Sequence, residues 1–384
     1  MKLSKIALIW KVLAACIAGV LLGLVLPSAV VRIFTTFTAI FSQYIGFVVP
    51  LIIVGLVTPA ICRVGSGAGR MLLITLAIAY CSTVVAGIFS YTLSSNLFPY
   101  IVGGSMLDAQ AGSAMDASPY FTIEIPPLMG IMTALVFSFV VGIMVSATDG
   151  NNLRNIIYDF EKVVHRAITK TVIPLLPLYV FGIFLKLSFT GEAVPMLVVF
   201  AKVILVILAM SLVWLVLMFL VAWAISGKKP FRSLFCMLPA YLTALGTSSS
   251  AATIPVTMER ARKCGVSEPV AGFVIPLCAT IHLPGSVIKI TACALTIMLV
   301  QGQAFDFGMF LGFIALLSIT AVAAPGVPGG MIMASLGVLS SVLGFGEANQ
   351  ALMIALYVVM DSFGTACNVT GDGAIALIVD KIAR

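Results

Sequence analysis

Charge is what this sequence has least of. Asp, Glu, Lys and Arg make up 9% of its 384 residues, while 61% are hydrophobic. A soluble domain needs about a quarter of its residues charged to cover its surface, so water-soluble classes are excluded. Cysteine occurs eight times but never as C-x-x-C. Scattered singly through apolar runs, the thiols read as small buried hydrophobes, which argues against a metal cluster or a disulfide framework. The apolar run 6–26 follows Lys2 and Lys5 but lacks a clear small-residue cleavage site. It is also too long for a signal h-region, so it reads as a spanning helix. The net charge of +7 sits in short loops and does not point to nucleic acid.

What remains is a polytopic all-α membrane protein. Apolar runs at 7–27, 34–62, 71–96, 126–147, 167–189, 195–226, 270–300 and 348–379 are each long enough to span, giving eight transmembrane helices. Lys and Arg orient them. Lys2, Lys5 and Lys11 place the N-terminus in the cytoplasm, as Lys381 and Arg384 do the C-terminus. The loop with Asp108, Asp116 and Glu124 carries no Lys or Arg and faces outward.

Two further segments do not fit as simple spans. The first, 231–262, has Lys228, Lys229 and Arg232 at one end and Arg260, Arg262 and Lys263 at the other. Both flanks on one side imply a re-entrant hairpin entering from the cytoplasm, with Gly246-Thr-Ser-Ser-Ser-Ala-Ala-Thr-Ile-Pro255 as its tip. The second, 306–345, lies in a stretch without Lys or Arg, and Ala324-Pro-Gly-Val-Pro-Gly-Gly330 interrupts it. It reads as a hairpin entering from outside. Irregular backbone at this depth must be buried in protein or line a cavity, and two interrupted segments of opposite entry indicate an inverted-repeat transporter. His282-Leu-Pro-Gly-Ser286 breaks the seventh span as well.

The chemistry concentrates in Asp361-Ser-Phe-Gly-Thr-Ala-Cys-Asn-Val-Thr-Gly-Asp372. At about 100° per residue, Asp361, Thr365, Asn368 and Asp372 fall within roughly 60° on one helix face. Tyr357 extends that stripe. Carboxylates at bilayer depth are functional candidates by default. The serine-rich tip, with its hydroxyls and free N–H groups, suits a carboxylate. Asn368 adds an amide, and Asp361 offers a counter-charge for an ammonium group. Asp372 is about 16 Å further along the helix, too far to share one small substrate. With Asn368 and carbonyls near His282 it suits a hard monovalent cation. Separate sites for a zwitterion and a cation describe a cation-coupled amino-acid symporter. Blander readings remain at this point: Ser248–Ser250 as close-packing residues, Asp372 as a capping carboxylate, and His282 as a satisfied core residue. A remote alternative is an intramembrane serine hydrolase using Ser248–Ser250 and His282, but Gly246-Thr-Ser248 lacks the next glycine of a nucleophile elbow.

These residues resemble the dicarboxylate/amino acid:cation symporters, the glutamate transporter family. Thr247-Ser-Ser-Ser-Ala-Ala-Thr-Ile-Pro-Val-Thr257 looks like its serine-rich motif. Ile275-Pro-Leu-Cys-Ala-Thr-Ile-His-Leu-Pro-Gly-Ser286 looks like its unwound seventh helix, Gly326-Val-Pro-Gly329 like its second tip, and Asn368-Val-Thr-Gly-Asp372 like its eighth-helix signature. The resemblance implies a homotrimer in the plasma (inner) membrane, with lipid as its surroundings. Each protomer would have a fixed scaffold (about 1–68 and 100–190) and a transport domain moving like an elevator (about 69–99 and 191–384). It implies that Asp361 binds the substrate ammonium, and that Ser249, Ser250, Thr365 and Asn368 bind the carboxylate. Gly364, Gly326 and Val327 would line the site. Asn368 and Asp372 would hold one sodium, and Thr280 would contribute to another. No cofactor is implied beyond the coupling ion, sodium or a proton.

Three departures bear on substrate and coupling. Acidic-substrate relatives carry an arginine where this chain has Gly364, so the resemblance favours a small neutral amino acid such as serine, threonine or alanine. His282 and Pro284 replace an asparagine and an aspartate that help build one sodium site, leaving Tyr80 and Thr83 as its third-helix remnants. Lys289, one turn beyond Ser286, stands where relatives are uncharged. It neutralises an aspartate, or replaces the missing arginine and restores binding of an acidic amino acid or C4-dicarboxylate, or serves as a tethered cation in place of sodium.

Overall fold

The computed structural model describes residues 3–65, 70–102, 117–148, 151–191, 193–322, 324 and 329–382, and among these every regular element is a helix. The first half consists of α1 (Leu3–Gly23), α2 (Ser28–Gly65), α3 (Arg70–Val102), α4 (Ile131–Ser146), α5 (Asn151–Ala167) and α6 (Ile173–Phe189). A five-residue π turn, Ile168–Val172, joins α5 to α6. The second half begins with α7 (Ala193–Ser226) and continues through α8 (Pro230–Thr247), α9 (Ser250–Lys263), α10 (Glu268–Ile281) and α11 (Pro284–Val300). It closes with α12 (Phe307–Val322), α13 (Gly330–Leu343), α14 (Glu347–Val359) and α15 (Asp361–Ile382).

Among the described residues, five helices are long and apolar enough to cross a membrane: Ser28–Pro59, Arg70–Val102, Asn151–Phe189, Leu197–Ser226 and Glu268–Val300. The last joins α10 and α11. Trp10–Gly23 and Val136–Ser146, from the expected first and fourth spans, are shorter, as are Phe307–Val322 and Gly330–Leu343. The expected eighth span, 348–379, is bent. Its halves, α14 and α15, meet at 64° around Met360, so Tyr357 lies on a separate helix, though its side chain still bonds to the Asp361 carboxylate.

The breaks elsewhere have local causes. Proline disfavours helical geometry in the residue before it and suits the first turn of a new helix. Pro284 starts α11 in this way, and His282 (φ −112°, ψ 96°) and Leu283 (φ −124°, ψ 47°) leave the helical region. Between α8 and α9 the turn is made by Ser248, the only non-glycine residue described with a positive φ, at 47°. Ser249 then caps α9, its hydroxyl accepting from the Ala252 N–H. Contacts of Cys236 Sγ with the Arg260 carbonyl, Cys264 Sγ with the Ser233 carbonyl, and Thr247 with Thr253 show that α8 and α9 run antiparallel. A helical hairpin therefore forms here, with its turn confined to Ser248 and Ser249 and the rest of the expected tip, from Ser250 on, in α9. The second is represented by α12 and α13, which pack on one another. The expected tip residues Gly326 and Val327 lie outside the described residues.

Helices α1, α2, α4, α5 and α6 pack among themselves, and α3 packs with α7, α10, α11, α12 and α15. The centre is formed by α11, α13 and α15. Every residue of α11 from Pro284 to Met298 is buried, as is α15 from Gly364 to Asp380. The polar residues of α15 therefore face protein on all sides, which is the setting in which each of them needs a partner. A cavity of about 390 Å³, lined by Thr35, Ser42, Lys186, Asn349 and Leu352 among others, separates α2 and α6 from α14.

Candidate functional site

Four elements meet along α15: the shoulder of the second hairpin, the start of α11, the break after α10, and α3. At the N-terminal end of α15, Asp361 is 4% exposed. Its Oδ2 accepts the Gly329 N–H at 2.8 Å, tying the second hairpin to α15. Oδ1 faces Lys289 Nζ at 3.7 Å. Lys289 also donates to the Met360 carbonyl at 3.2 Å and lies 3.9 Å from the centroid of the Tyr357 ring. The Met360 bend thus presents a carbonyl and an aromatic face to a buried ammonium, a favourable setting for a desolvated cation.

Gly364 completes this corner. A Cβ built there would overlap Cε and Nζ of Lys289. The lysine fills the space into which a side chain at 364 would emerge, and the absence of that side chain admits it. One turn further, the Gly285 N–H donates to Asn368 Oδ1 at 2.8 Å, and Asn368 Nδ2 donates to Ser286 Oγ at 3.3 Å. Ser286 Oγ is in turn 3.0 Å from the Tyr357 hydroxyl. Gly285 allows this close approach, because a Cβ there would come within 2.7 Å of both the Gly364 carbonyl oxygen and Cys367 Cβ. Thr365 bonds back to the Asp361 carbonyl at 2.9 Å and is buried.

At the inner end, His282 bridges two helices. Its Nδ1 is 2.8 Å from Asp372 Oδ1, and its Nε2 is 3.0 Å from Ser82 Oγ on α3. Both His282 and Asp372 are essentially inaccessible, at 0% and 1%. Asp372 is therefore held by a partner at the helix break and does not snorkel at a membrane surface.

Asp361, Gly364, Lys289 and Asn368 come together, and His282 joins Asp372. Ser249 and Ser250 are buried at the tip of the first hairpin, which packs along α15. Thr280 is set apart: it is exposed, and its hydroxyl bonds to the Leu277 carbonyl of its own helix at 2.8 Å. Thr83 likewise bonds within α3, to the Ala79 carbonyl. The α3 residue that reaches the break is Ser82. Sequence reasoning missed it because Tyr80, Ser82 and Thr83 are all polar, and only the rotation of α3 decides which one faces His282.

Apolar and helical throughout, with broken helices around a buried polar cluster, the protein has the build of a membrane transporter. It belongs to the sodium:dicarboxylate symporter family, which it matches over residues 8–382. It is 25% identical to the serine/threonine transporter SstT of Acinetobacter baylyi over 410 aligned residues, covering 100% of this chain and 99% of that one. It is 28% identical to an excitatory amino acid transporter of Caenorhabditis elegans, over 67% of this chain and 52% of the relative. It is also 28% identical to excitatory amino acid transporter 1 of Bos taurus, over 71% and 52%. Family and relatives are transporters, which removes the hydrolase alternative.

Proposed function

We propose that the protein is a secondary active symporter for a small neutral amino acid of serine, threonine or alanine size, driven by sodium. In this reading eight spanning helices and two re-entrant hairpins form each protomer of a homotrimer in the plasma (inner) membrane, with both termini cytoplasmic. Helices α1, α2, α4, α5 and α6 form the scaffold. The remainder forms a transport domain that moves past it as an elevator, and the cavity between α2, α6 and α14 fits such a seam.

The observation that carries the reading is the setting of Asp361. Its carboxylate joins α15 to the second hairpin through Gly329, at the outer end of a row continued by Thr365 and Asn368. A carboxylate there provides for the substrate ammonium, and the hydroxyls and N–H groups of Ser249 and Ser250, with Thr365 and Asn368, provide for its carboxylate. Gly364 offers no guanidinium for a second acidic group, in keeping with the similarity to a serine/threonine transporter. Sodium is assigned to the remaining lone pairs of Asn368 Oδ1 and Asp372, with carbonyls freed where α10 stops. Thr280 remains a proposed contributor to another site. The Asp361→Asn variant tests the reading: it abolishes amino-acid uptake while trimer assembly survives. Normal uptake by this variant would sink the assignment of Asp361.

Two observations favour variants of this reading. Lys289 over Gly364 supports an acidic amino acid or C4-dicarboxylate as substrate, with the lysine in place of arginine. Preference for aspartate or succinate, lost on Lys289→Met, would establish it. The bonded series Ser82–His282–Asp372 supports proton coupling, for which uptake would ignore sodium and follow a pH gradient.

A further inference from the structure

Lys289 is one of the largest fully buried side chains described, on a helix enclosed over its whole inner length. An ammonium at that depth persists only where specific groups meet its charge. The Asp361 carboxylate, the Met360 carbonyl and the Tyr357 ring meet this one. Only the first of these is an ion, and it is the group assigned above to the substrate ammonium. Two ammonium groups, one on the protein and one on the substrate, therefore compete for Asp361 Oδ1. When the substrate's takes that oxygen, Lys289 keeps the Met360 carbonyl and the Tyr357 face. Throughout, Asp361 Oδ2 remains available to the Gly329 N–H of the second hairpin.

We infer that Lys289 is a tethered counter-cation that replaces the substrate ammonium at Asp361 in the unloaded carrier. The transport domain then returns across the membrane with no ion borrowed from solution at that site. The inference rests on the reading of Asp361 as the ammonium partner. Its physical basis is the cost of a lone carboxylate at bilayer depth. The loaded carrier meets that charge with its cargo, and the unloaded carrier meets it with its own lysine. Gly364 is part of the device, because any side chain there would push the ammonium out of place.

Net uptake and exchange separate this role from a purely structural ion pair. Net uptake of radiolabelled serine into liposomes without internal serine requires return of the unloaded carrier. Exchange into serine-preloaded liposomes does not. In Lys289→Met the ratio of net uptake to exchange falls at least tenfold from the wild-type value, and in Lys289→Arg, which keeps the charge, it stays within threefold. Monodisperse Lys289→Met protein that loses both processes equally, or keeps its ratio, overturns the inference. A measurement on the wild-type protein decides independently of how that variant folds. With the membrane potential clamped and sodium outside only, net uptake is the same with potassium or choline inside, and a requirement for internal potassium overturns the inference. Wild-type protein that neither takes up nor exchanges serine, aspartate or succinate refutes instead the transport reading on which the inference rests.

Discussion

Gly285→Ala and Gly364→Ala each add one methyl group, on facing helices, yet the structure assigns them different consequences. At 285 the added carbon meets the Gly364 carbonyl oxygen and Cys367 Cβ, each at 2.7 Å. These atoms belong to the body of α15 and cannot yield without moving the helix. Overpacking of this kind costs about 1–3 kcal/mol. The same displacement lengthens the Gly285 N–H bond to Asn368, now 2.8 Å, at a further cost of about 0.5–1.5 kcal/mol. The expected loss is about 2–4 kcal/mol, with both helices of the site pushed apart. At 364 the added carbon meets the far end of Lys289, which can swing aside. Gly364→Ala therefore meets no backbone clash, and its cost is that of the buried Lys289–Asp361 pair it disturbs, up to about 3–5 kcal/mol where the carboxylate is left without its ammonium. It takes the ammonium from Asp361, so its effect falls on transport. Thermal unfolding of detergent-purified protein, followed by intrinsic fluorescence, separates the two. Both variants melt below wild type, but the stability lost in Gly364→Ala is largely recovered when Asp361→Asn is added and that lost in Gly285→Ala is not, while Gly364→Ala alone lowers net uptake relative to exchange. Recovery of both variants by Asp361→Asn, or of neither, would refute the reasoning about which neighbours each methyl group meets.

Other outcomes follow from the same contacts. Sodium raises the melting temperature of the wild-type protein, by as much as about 2.7 kcal/mol of stabilisation at a hundred times its dissociation constant. In Asp372→Asn the effect is lost, and a retained effect would place sodium elsewhere. His282→Ala leaves the buried Asp372 oxygen without its partner and costs about 1–3 kcal/mol, most of which is recovered in the double variant with Asp372→Ala. No recovery would mean that His282 stabilises through packing. The buried hydroxyl of Thr370 has no hydrogen-bond partner among the described residues, so Thr370→Val is neutral or stabilising by roughly 1 kcal/mol, read in the same melting assay. A marked loss of stability would mean that the hydroxyl is engaged.

What could be read from the sequence was local in cause. The interruptions within 246–255 and 282–286 were legible from the residues there, and the chain turns at Ser248 and breaks before Pro284. The bend at Met360 has no proline or glycine to announce it, and the apolar run across it gave the appearance of one straight span. Within the site, the stripe from Asp361 to Asp372 follows from helical period alone, and burial of α15 on every side bears on why it is polar. Pairings across helices were not legible. Lys289 had several possible partners by sequence, and its place over Gly364 depends on the axial register of α11 against α15. The contact of His282 with Ser82, 200 residues apart, depends likewise on how α3 is turned. Thr280, one residue before Ile281, is aimed outward by the phase of α10 at its end.

The most direct test of the account is a competition panel with purified protein in liposomes, in which amino acids and dicarboxylic acids compete for uptake with and without a sodium gradient. The account predicts accumulation of serine, threonine or alanine in preference to aspartate and succinate, and its collapse when the sodium gradient is removed. Preferential accumulation of aspartate or succinate, or uptake indifferent to sodium, would contradict it.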